Sequence, residues 1–435
     1  MFRYETAGES HGECLVATVT GLPAGVPISL QKINRELWRR QQGFGRGGRM
    51  KIETDQAELV AGVRHSQTIG SPIAIIVQNK DWKNWTEILP VENYIGSEAN
   101  TKPVTRPRPG HADLAGGIKY NYRDARYILE RASARETTMR VAVGSACRQF
   151  LKQFGIEVGG YVVSVGEVSV EMVGKVQKVR KVEKVQKVQD LLNVTNLPNL
   201  QSFPNLTNSD YLSRFAAAEA SDVRCYDESV AETMRARIRQ IMQAKDTLGG
   251  VIECVALNVP PGLGSHVHWD RRLSAKLTSA VMSIHAMKGV EIGDGFEETR
   301  RPGTQAQDEL YAEDGLIKQR SNHAGGIEGG ISNGAPIVIR AGLKPIATTL
   351  NPLDSIDLAT GESVKTQYER SDFCQVPRAV PIVEAMVCYV LADALIEKLG
   401  GDSINEMQPR FETLRKMRLE DLPMDGVPWR FNYGP

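Results

Sequence analysis

Residues 381–399 read PIVEAMVCYVLADALIEKL, and apolar side chains such as Val383, Val387 and Leu391 recur in this stretch at helical spacing. The positions between them are also largely apolar, and a helix that is apolar on nearly every side is typical of the interior of a fold. We therefore predict a helix over residues 381–399 that lies deep in the core and ends at the glycines at 400–401.

Other segments predict further helices and strands around this one. Asp227 is suited to cap a helix in which Val230 and Ile238 recur at helical spacing and which stops before the glycines at 249–250. A third helix is predicted over residues 131–150. Strands are predicted at three short apolar runs bounded by turn residues, namely 73–77, 161–163 and 251–256.

The composition is typical of a soluble enzyme. The chain has 435 residues, of which 41% are hydrophobic and 24% charged, so it can bury a core in one large or two moderate domains. No apolar run reaches transmembrane length, and the N-terminal residues lack a signal-peptide core. Because the cysteines form no CxxC pair and no zinc spacing, we expect free thiols, a reducing cytoplasm and no metal site.

Two histidines lie in short segments framed by glycine and proline, 8–12 (GESHG) and 106–113 (RPRPGHAD). Glycines permit positive φ and close approach of the backbone to a ligand, and the two prolines break any helix before His111. A loop histidine can titrate near neutral pH, so His11 and His111 are candidate proton donors or acceptors. The alternative for either residue is an ordinary hydrogen-bonded loop histidine.

Basic residues are concentrated around the same segments. Residues 31–51 contain seven cations and one acid, a local charge of +6 in a chain whose total is +1. The planar guanidinium matches carboxylate and phosphate groups, so this clustering predicts a site for a small polyanion. A solvated helix face, the alternative, would normally contain more glutamates. Further cations flank His111, namely Lys102, Arg106, Arg108, Arg123, Arg126, Arg131, Arg135 and Arg140.

A glycine-rich block at 321–334 (SNHAGGIEGGISNG) has neither the GxGxxG fingerprint nor a Walker loop. Its glycines nevertheless expose backbone amides, which can bind phosphate or line a planar ring. Residues 344–349 (KPIATT) follow with a cation and two hydroxyl groups, and residues 370–372 (RSD) place a carboxylate beside a cation.

Residues 174–189 read GKVQKVRKVEKVQKVQ, in which valine recurs every third position. A period of three fits neither a strand nor a straight helix. We interpret residues 174–208 as a low-complexity surface insertion. Its six cations leave a nucleic-acid role open, but a charge run alone does not establish one.

Two pairs of segments hint at an internal duplication. Residues 70–80 match residues 334–344 at five of eleven positions, and 22–25 (LPAG) is echoed by 259–262 (VPPG) in the same order. Such short matches can arise by chance, but the preserved order supports the hypothesis of a pseudo-twofold fold built from two similar halves.

Taken together, these motifs resemble the chorismate synthase family, over nearly the whole chain except about residues 174–208. The chain departs from the family's usual pattern at Tyr4-Glu5 and at His285, where asparagine is usual. The segments that carry the resemblance are 7–12, 45–50, 106–113, 131–137, 289–293, 321–326, 370–372 and 378–381.

The resemblance implies a fold, an assembly and a reaction. The expected fold is α+β, a layer of helices sandwiched between antiparallel sheets, in a single domain over residues 1–435 that assembles as a homotetramer. The expected reaction is the anti-1,4-elimination of phosphate from 5-enolpyruvylshikimate 3-phosphate, which yields chorismate in the shikimate pathway. It requires reduced FMN although no net redox change occurs. The substrate carries a phosphate and two carboxylates, in agreement with the arginine clusters.

The resemblance also implies roles for individual residues. His11 would protonate the departing phosphate, His111 would protonate the reduced flavin or stabilise its charge, and Asp372 would serve the flavin's central-ring nitrogen. The residues expected to hold substrate anions are Ser10, Arg40, Arg46, Arg49, Arg108 and Arg135. Those expected to hold FMN are Arg131, Ala132, Ser133, His285, Ala286, Gly329, Lys344, Pro345, Ile346, Ala347, Thr348 and Arg370.

Two rival functions remain at this stage. An RNA-binding protein could use the arginine-rich loops and the repeat, but few aromatic residues accompany them and His11, His111 and Asp372 would be unexplained. A phosphate-eliminating lyase for another substrate is the second rival. Nothing resembles an additional reductase domain, so we expect reduced FMN from an outside reductant rather than from NADPH bound by Arg40 and Arg46. Nucleic-acid and membrane partners are not expected.

Overall fold

Two antiparallel sheets and the helices that pack against them make up the part of the chain that the structure describes. This computed structural model describes residues 2–46, 54–92, 103–170, 206–367, 372–422 and 426. Arg49, Arg370 and almost all of the predicted insertion at 174–208 lie outside the described residues. The roles predicted for them, and the single domain, remain predictions.

The first sheet has the strand order β1-β2-β6-β3. Ile73, Ile75 and Val77 of β6 are buried, while the residues between them are partly exposed, which is the alternation of a strand with one face on the core. The short hairpin β4–β5 connects β3 to β6. The bounds of these elements are β1 (Arg3–Ala7), β2 (Cys14–Thr20), β3 (Ala57–Ala61), β4 (Val63–Arg64), β5 (Gln67–Thr68) and β6 (Ile73–Gln78).

The second sheet has the order β10-β15-β9-β7-β8, and all its pairings are antiparallel. Three short hairpins, β11–β12, β13–β14 and β16–β17, lie in its connections. The bounds are β7 (Glu157–Val165), β8 (Val168–Ser169), β9 (Gly250–Leu257), β10 (Met287–Ile292), β11 (Leu310–Glu313), β12 (Leu316–Gln319), β13 (Ile327–Glu328), β14 (Ile331–Ser332), β15 (Ile337–Leu343), β16 (Asp354–Ile356) and β17 (Ser363–Lys365).

The helices lie on and between these sheets. The central helix α9 contacts α1, α4 and α7 as well as strands β7 and β9, whereas α4 also contacts β1, β2 and β6. The bounds are α1 (Leu30–Gln41), α2 (Asp113–Tyr120), α3 (Arg126–Arg131), α4 (Thr137–Leu151), α5 (Asn208–Ala220), α6 (Glu228–Gln243), α7 (Leu273–Met282), α8 (Gly303–Ala306), α9 (Val376–Leu399) and α10 (Ile404–Glu412).

The apolar helix predicted over 381–399 is confirmed, but it begins earlier, at Val376. Pro377 lies in its first turn, where a missing N–H costs little, and Pro381 is accommodated inside it. By length and composition α9 could cross a membrane, but 83% of its most apolar window is buried inside the protein, as in a core helix.

A buried charge on α9 was not visible in the apolar pattern. Glu384 accepts hydrogen bonds from Arg39 at 2.7 Å and from Arg148 at 2.6 Å. Burial opposes ionisation of Glu384, but the two guanidinium groups outweigh it and lower the pKa of Glu384 to about 2. The ion pairs therefore join α1, α4 and α9 in the core.

The other predicted elements are mostly confirmed. All three predicted strands lie within β6, β7 and β9, and Asp227 caps α6 by accepting hydrogen bonds from the N–H groups of Ser229 and Val230. The helix predicted over 131–150 is wrong in its first part. The chain leaves α3 at Arg131 and starts α4 only at Thr137, because Ser133 is extended and its hydroxyl caps a 3-10 turn at Ala134–Glu136. The mixed α+β class is confirmed.

Candidate active site

The loop between β1 and β2 carries His11. Gly8 has φ 103°, and a Cβ atom there would collide with the carbonyl of Cys14, so only glycine fits this turn. Asn79, the residue after β6, fixes the loop, because its amide donates to the carbonyl oxygens of Glu9 at 3.2 Å and Gly12 at 2.6 Å. The loop is therefore held rigidly at the end of the first sheet.

His11 is held from two sides. Its Nδ1 lies 2.9 Å and 3.0 Å from the carboxylate oxygens of Glu130, and its backbone N–H donates to the same carboxylate at 2.9 Å. The ring stacks on Trp85, with centroids 4.0 Å apart and planes 24° from parallel. A carboxylate can only accept, so Nδ1 carries a hydrogen and Nε2 is the atom left for chemistry.

Ser10, which is buried, lies beside His11 in the same loop. Its N–H donates to the carbonyl of Glu130 at 3.1 Å, and the hydroxyl of Ser133 donates to the hydroxyl of Ser10 at 3.1 Å. The extended backbone between α3 and α4 therefore places the hydroxyl of Ser133 against the loop of His11.

Two predicted arginines, Arg40 and Arg135, converge on buried Asp55 behind this loop. Arg135 also donates to the side-chain oxygen of Asn79 at 2.8 Å and 3.1 Å, and Arg40 donates to Thr137 at 3.0 Å. Burial, followed by repulsion from other arginines, lowers the pKa of Arg40 to about 9. Arg40 is therefore still charged at pH 7, and one acid faces two cations.

Asp372 is paired with Arg378, a partner from the first turn of α9. The sequence had suggested Arg370, which lies outside the described residues. Arg378 also donates to the carbonyl of Arg40 at 3.1 Å, which links Asp372 to the arginine cluster. Burial and the nearby charge of Arg378 lower the pKa of Arg46, so Arg46 belongs to the same group.

His111 lies in a second cluster with Arg108 and Asp113. Its Nδ1 is 2.5 Å from a carboxylate oxygen of Asp113, and Arg108 binds the same carboxylate through Nε at 2.8 Å and Nη2 at 3.1 Å. Burial opposes the charge on Asp113, but hydrogen bonds from His111 and Arg108 outweigh it and hold the pKa of Asp113 far below its usual range.

Most of the predicted flavin residues lie near His111. Lys344 donates from Nζ to the carbonyl of Gly110 and from its backbone N–H to the carbonyl of Ala286. Burial lowers the pKa of His285 to about 4, with smaller contributions from neighbouring charges that include Arg131 and His111. His285, Arg131 and His111 therefore share one electrostatic environment. Arg131 itself donates to the carbonyls of Thr6 and Gly8.

Gly329 is the described flavin candidate that lies apart. It forms the turn between β13 and β14, whose neighbour Gly326 packs against Pro336 at the start of β15. Lys344 follows the other end of β15, and seven residues at about 3.3 Å each separate the two ends by roughly 20 Å. Gly329 and Lys344 are therefore associated with opposite ends of β15.

Several residues of the site were not among the sequence predictions. Asp113 could have been found, because it lies two positions after His111 in the same motif. Arg378 lies only six positions after Asp372 and begins the segment 378–381. The remaining partners come from distant segments, and no local pattern pointed to them: Asp55, Asn79, Trp85 and Glu130.

Comparisons with known proteins agree with these clusters. The sequence profile of the family described as chorismate synthase matches residues 2–396. This chain belongs to the chorismate synthase family. A chorismate synthase of Solibacter usitatus (strain Ellin6076) is 52% identical over 415 residues, which cover 95% of this chain and 98% of the relative. A chorismate synthase of Aquifex aeolicus (strain VF5) is 49% identical over 411 residues, which cover 94% of this chain and 96% of the relative.

A solved structure agrees as well. A crystal structure of chorismate synthase aligns with a TM-score of 0.70 and 40% identity, over 94% of this chain and 96% of that chain. The predicted family is therefore confirmed. With it, the expected class of activity is confirmed at the level of the family, a lyase of the shikimate pathway that serves aromatic amino acid biosynthesis.

Proposed function

We propose that this protein eliminates phosphate from 5-enolpyruvylshikimate 3-phosphate to give chorismate, with His11 as the acid. The observation that carries the proposal is the pairing of His11 Nδ1 with buried Glu130. The pairing leaves Nε2 as the ring atom that can deliver a proton when both nitrogens carry one. Asn79 bonds both the loop of His11 and Arg135, so the proton donor and the cations are fixed relative to each other.

The cations would bind the anionic groups of the substrate. Arg40 remains charged at neutral pH, and it shares the buried carboxylate of Asp55 with Arg135. A phosphate or carboxylate would complete the neutralisation of this cluster, because a guanidinium binds either group through paired hydrogen bonds. The proposed substrate-binding residues are Ser10, Arg40, Arg46, Arg49, Arg108 and Arg135.

Reduced FMN is the proposed cofactor, and the residues near His111 fit it. Nδ1 of His285 is buried without a hydrogen-bond partner among the described residues, so a ligand acceptor or donor is missing there. When bound, reduced FMN would supply electron density to the elimination without net redox change. The residues proposed to hold it are Arg131, Ala132, Ser133, His285, Ala286, Gly329, Lys344, Pro345, Ile346, Ala347, Thr348 and Arg370.

His111 and Asp372 are the other two proposed catalytic residues. His111 would donate a hydrogen bond or proton to negative charge at the cofactor site, and its contact with Asp113 holds the ring in place. Asp372 would accept a proton during the reaction. Its ion pair with Arg378 and its nearly complete burial hold the carboxylate in one orientation.

We also propose the finer architecture, a helix layer sandwiched between antiparallel sheets with an internal duplication. The strand orders support it, because β1-β2-β6-β3 corresponds to β7-β9-β15-β10 in chain order and connectivity. In each half one helix follows the second strand and another follows the fourth, α1 and α4 in the first half and α7 and α9 in the second. The matching segments 70–80 and 334–344 contain the equivalent strands β6 and β15.

A cytoplasmic homotetramer is the proposed assembly. Its support is that Gly329 belongs to a hairpin packed at the Pro336 end of β15, whereas Lys344 follows the other end, roughly 20 Å along the strand. Gly329 would then contact a flavin bound to a neighbouring protomer. We propose no nucleic-acid or membrane partner.

An anaerobic assay that follows chorismate absorbance tests the function. We expect turnover of 5-enolpyruvylshikimate 3-phosphate when FMN is reduced with dithionite, and little turnover with FMN and NADPH alone. Equal turnover in both would show that the protein reduces its own flavin. No turnover in either, together with salt-dependent binding of RNA, would contradict the proposal in favour of the RNA-binding alternative.

A further inference from the structure

A cavity of about 580 Å³, apart from the candidate active site, lies against the second sheet. Gly160 faces Val380 and Glu384 of α9, so the next residue, Tyr161, lies on the opposite face of the sheet, which lines the cavity. Its floor is a row of cross-strand neighbours, Tyr161 on β7, Glu253 on β9 and Arg340 on β15. Helix α5 and the hairpin β11–β12 contribute to its walls. Among the described catalytic and flavin candidates, none lines this cavity.

The acid in the floor is already neutralised. Glu253 accepts a hydrogen bond from Arg340 Nε at 2.8 Å and another from the hydroxyl of Tyr161. Burial and the charge of Glu253 raise the pKa of Tyr161 well above its usual value, so the phenol keeps its proton and remains a donor. Glu253 therefore does not need a further cation from a wall of the cavity.

Arg214 on α5 supplies a cation that forms no ion pair with the described residues. Its guanidinium donates to the hydroxyl of Tyr161 at 3.3 Å and lies 4.5 Å from the ring centroid of Tyr226. Within the ranges that the structure describes, no carboxylate lies at ion-pair distance from Arg214, whereas most other half-buried arginines have one. An anion in the cavity would give Arg214 an ion-pair partner.

Two amide groups in the walls also lack partners. Nδ2 of Asn333 and Nε2 of Gln319 are buried and make no hydrogen bond in the described part of the chain. The orientation of the Asn333 amide is fixed, since its oxygen accepts from the N–H of Ala335 at 3.1 Å. Both amides line the cavity as unused donors, and a buried donor without an acceptor is unfavourable.

We propose that this cavity is a second ligand site, which binds a small organic carboxylate attached to a flat ring. A carboxylate supplies the acceptors that Arg214, Asn333 and Gln319 lack. Tyr211 and Tyr226 supply flat, rigid walls for a ring. A volume of about 580 Å³ lies in the usual range for small-molecule sites and is far larger than an inorganic phosphate needs.

Titration of 4-fluorobenzoate into the full-length protein, followed by fluorine NMR, tests the site. We expect saturable binding that weakens at least tenfold in Arg214→Met and in Asn333→Ala. Arg46→Met serves as the matched control, because a probe bound at the arginine cluster of the active site would be lost in that variant. Unchanged binding in both cavity variants, or loss of binding in Arg46→Met, would overturn the proposal.

Two further measurements keep the outcome clear. Inorganic phosphate at the concentration of the probe should not displace it, and displacement would overturn the requirement for an organic ring. If Arg214→Met fails to fold, Asn333→Ala and Gln319→Leu carry the test, because neither removes a charge. Chorismate formation by a folded Arg214→Met variant should equal that of the wild type, so the second site can fail without affecting the proposed function.

Discussion

His11 and His111 both place Nδ1 against a buried carboxylate, but the two carboxylates have different surroundings. Glu130 binds the ring and the backbone N–H of His11, and its nearest cation, on Arg126, is 3.9 Å away. Asp113 is shared between His111 and two guanidinium nitrogens of Arg108. The first carboxylate is dedicated to one imidazole, whereas the second is also the centre of an ion pair.

Because the surroundings of the two carboxylates differ, substitutions at them should affect catalysis and stability differently. Removing the charge of Glu130 changes how the ring of His11 is held and leaves few other groups unpaired. Removing the charge of Asp113 also breaks its ion pair with the partly buried guanidinium of Arg108, and breaking such a pair is strongly destabilising. The His11 site should therefore respond in catalysis, and the His111 site in stability as well.

The largest effect is expected at His11 itself. His11→Ala should lower turnover by roughly a hundredfold or more, because general acid catalysis contributes about that much, while FMN still binds. His11→Gln should not restore turnover, since glutamine can hydrogen-bond but cannot deliver a proton. Steady-state assays with reduced FMN measure both variants, and a near-normal rate in either one would remove His11 from the role of acid.

Asp372 extends the comparison to a carboxylate that is paired with arginine instead of histidine. Asp372→Asn should lower turnover by roughly tenfold to a hundredfold with little change in the affinity for substrate or FMN, because proton acceptance is needed only during the reaction. Asp372→Ala should be about as slow. A fast Asn variant with a slow Ala variant would make Asp372 a hydrogen-bonding scaffold.

Glu130→Gln and Asp113→Asn test the comparison directly. The Glu130 variant should lose about tenfold in turnover, with an altered pH profile and little change in Tm, since the amide keeps an acceptor for His11. The Asp113 variant should show a clearly lower Tm, by several degrees or more. Equal losses of Tm in the two variants would show that the two carboxylates do not differ as the contacts indicate.

The pH dependence of stability should include a contribution from buried His285, which shares its electrostatic environment with His111. Burial lowers the pKa of His285 to about 4, against an ordinary value of about 6.5. Between these values the unfolded chain binds more protons, so the free energy of unfolding should fall as pH falls from about 6.5 to about 4. His285→Asn should flatten this part of the curve in denaturant titrations, and an unchanged slope would contradict the assignment.

The smallest effect is expected from the repeat at 174–189, which is remote in sequence from both histidines. Replacing residues 175–189 with a short Gly/Ser linker should leave turnover and FMN affinity unchanged, because the closure entropy of a surface loop depends only weakly on its length. Size-exclusion chromatography and the standard assay check this. Loss of assembly or of activity would make the repeat structural.

Helices, strands, caps and loops that depend on neighbouring residues could be predicted from the sequence. Helical spacing and terminal glycines identified α9, a short apolar run bounded by turn residues identified β6, and Asp227 identified the start of α6. Glycine and proline around His11 and His111 marked both loops, because these residues restrict the backbone locally. Several such motifs in a fixed order were sufficient to identify the family.

The pairing of charged and polar groups could not be predicted from the sequence, because it depends on how distant segments pack. Glu130 lies 119 positions from His11, and Asp55 lies 80 positions from Arg135, so no local period could join them. The buried charge of Glu384 and the remote position of Gly329 were likewise invisible. Periodicity reports which face of an element is buried, whereas a hydrogen bond requires two atoms within about 3 Å, and chain packing alone sets that distance.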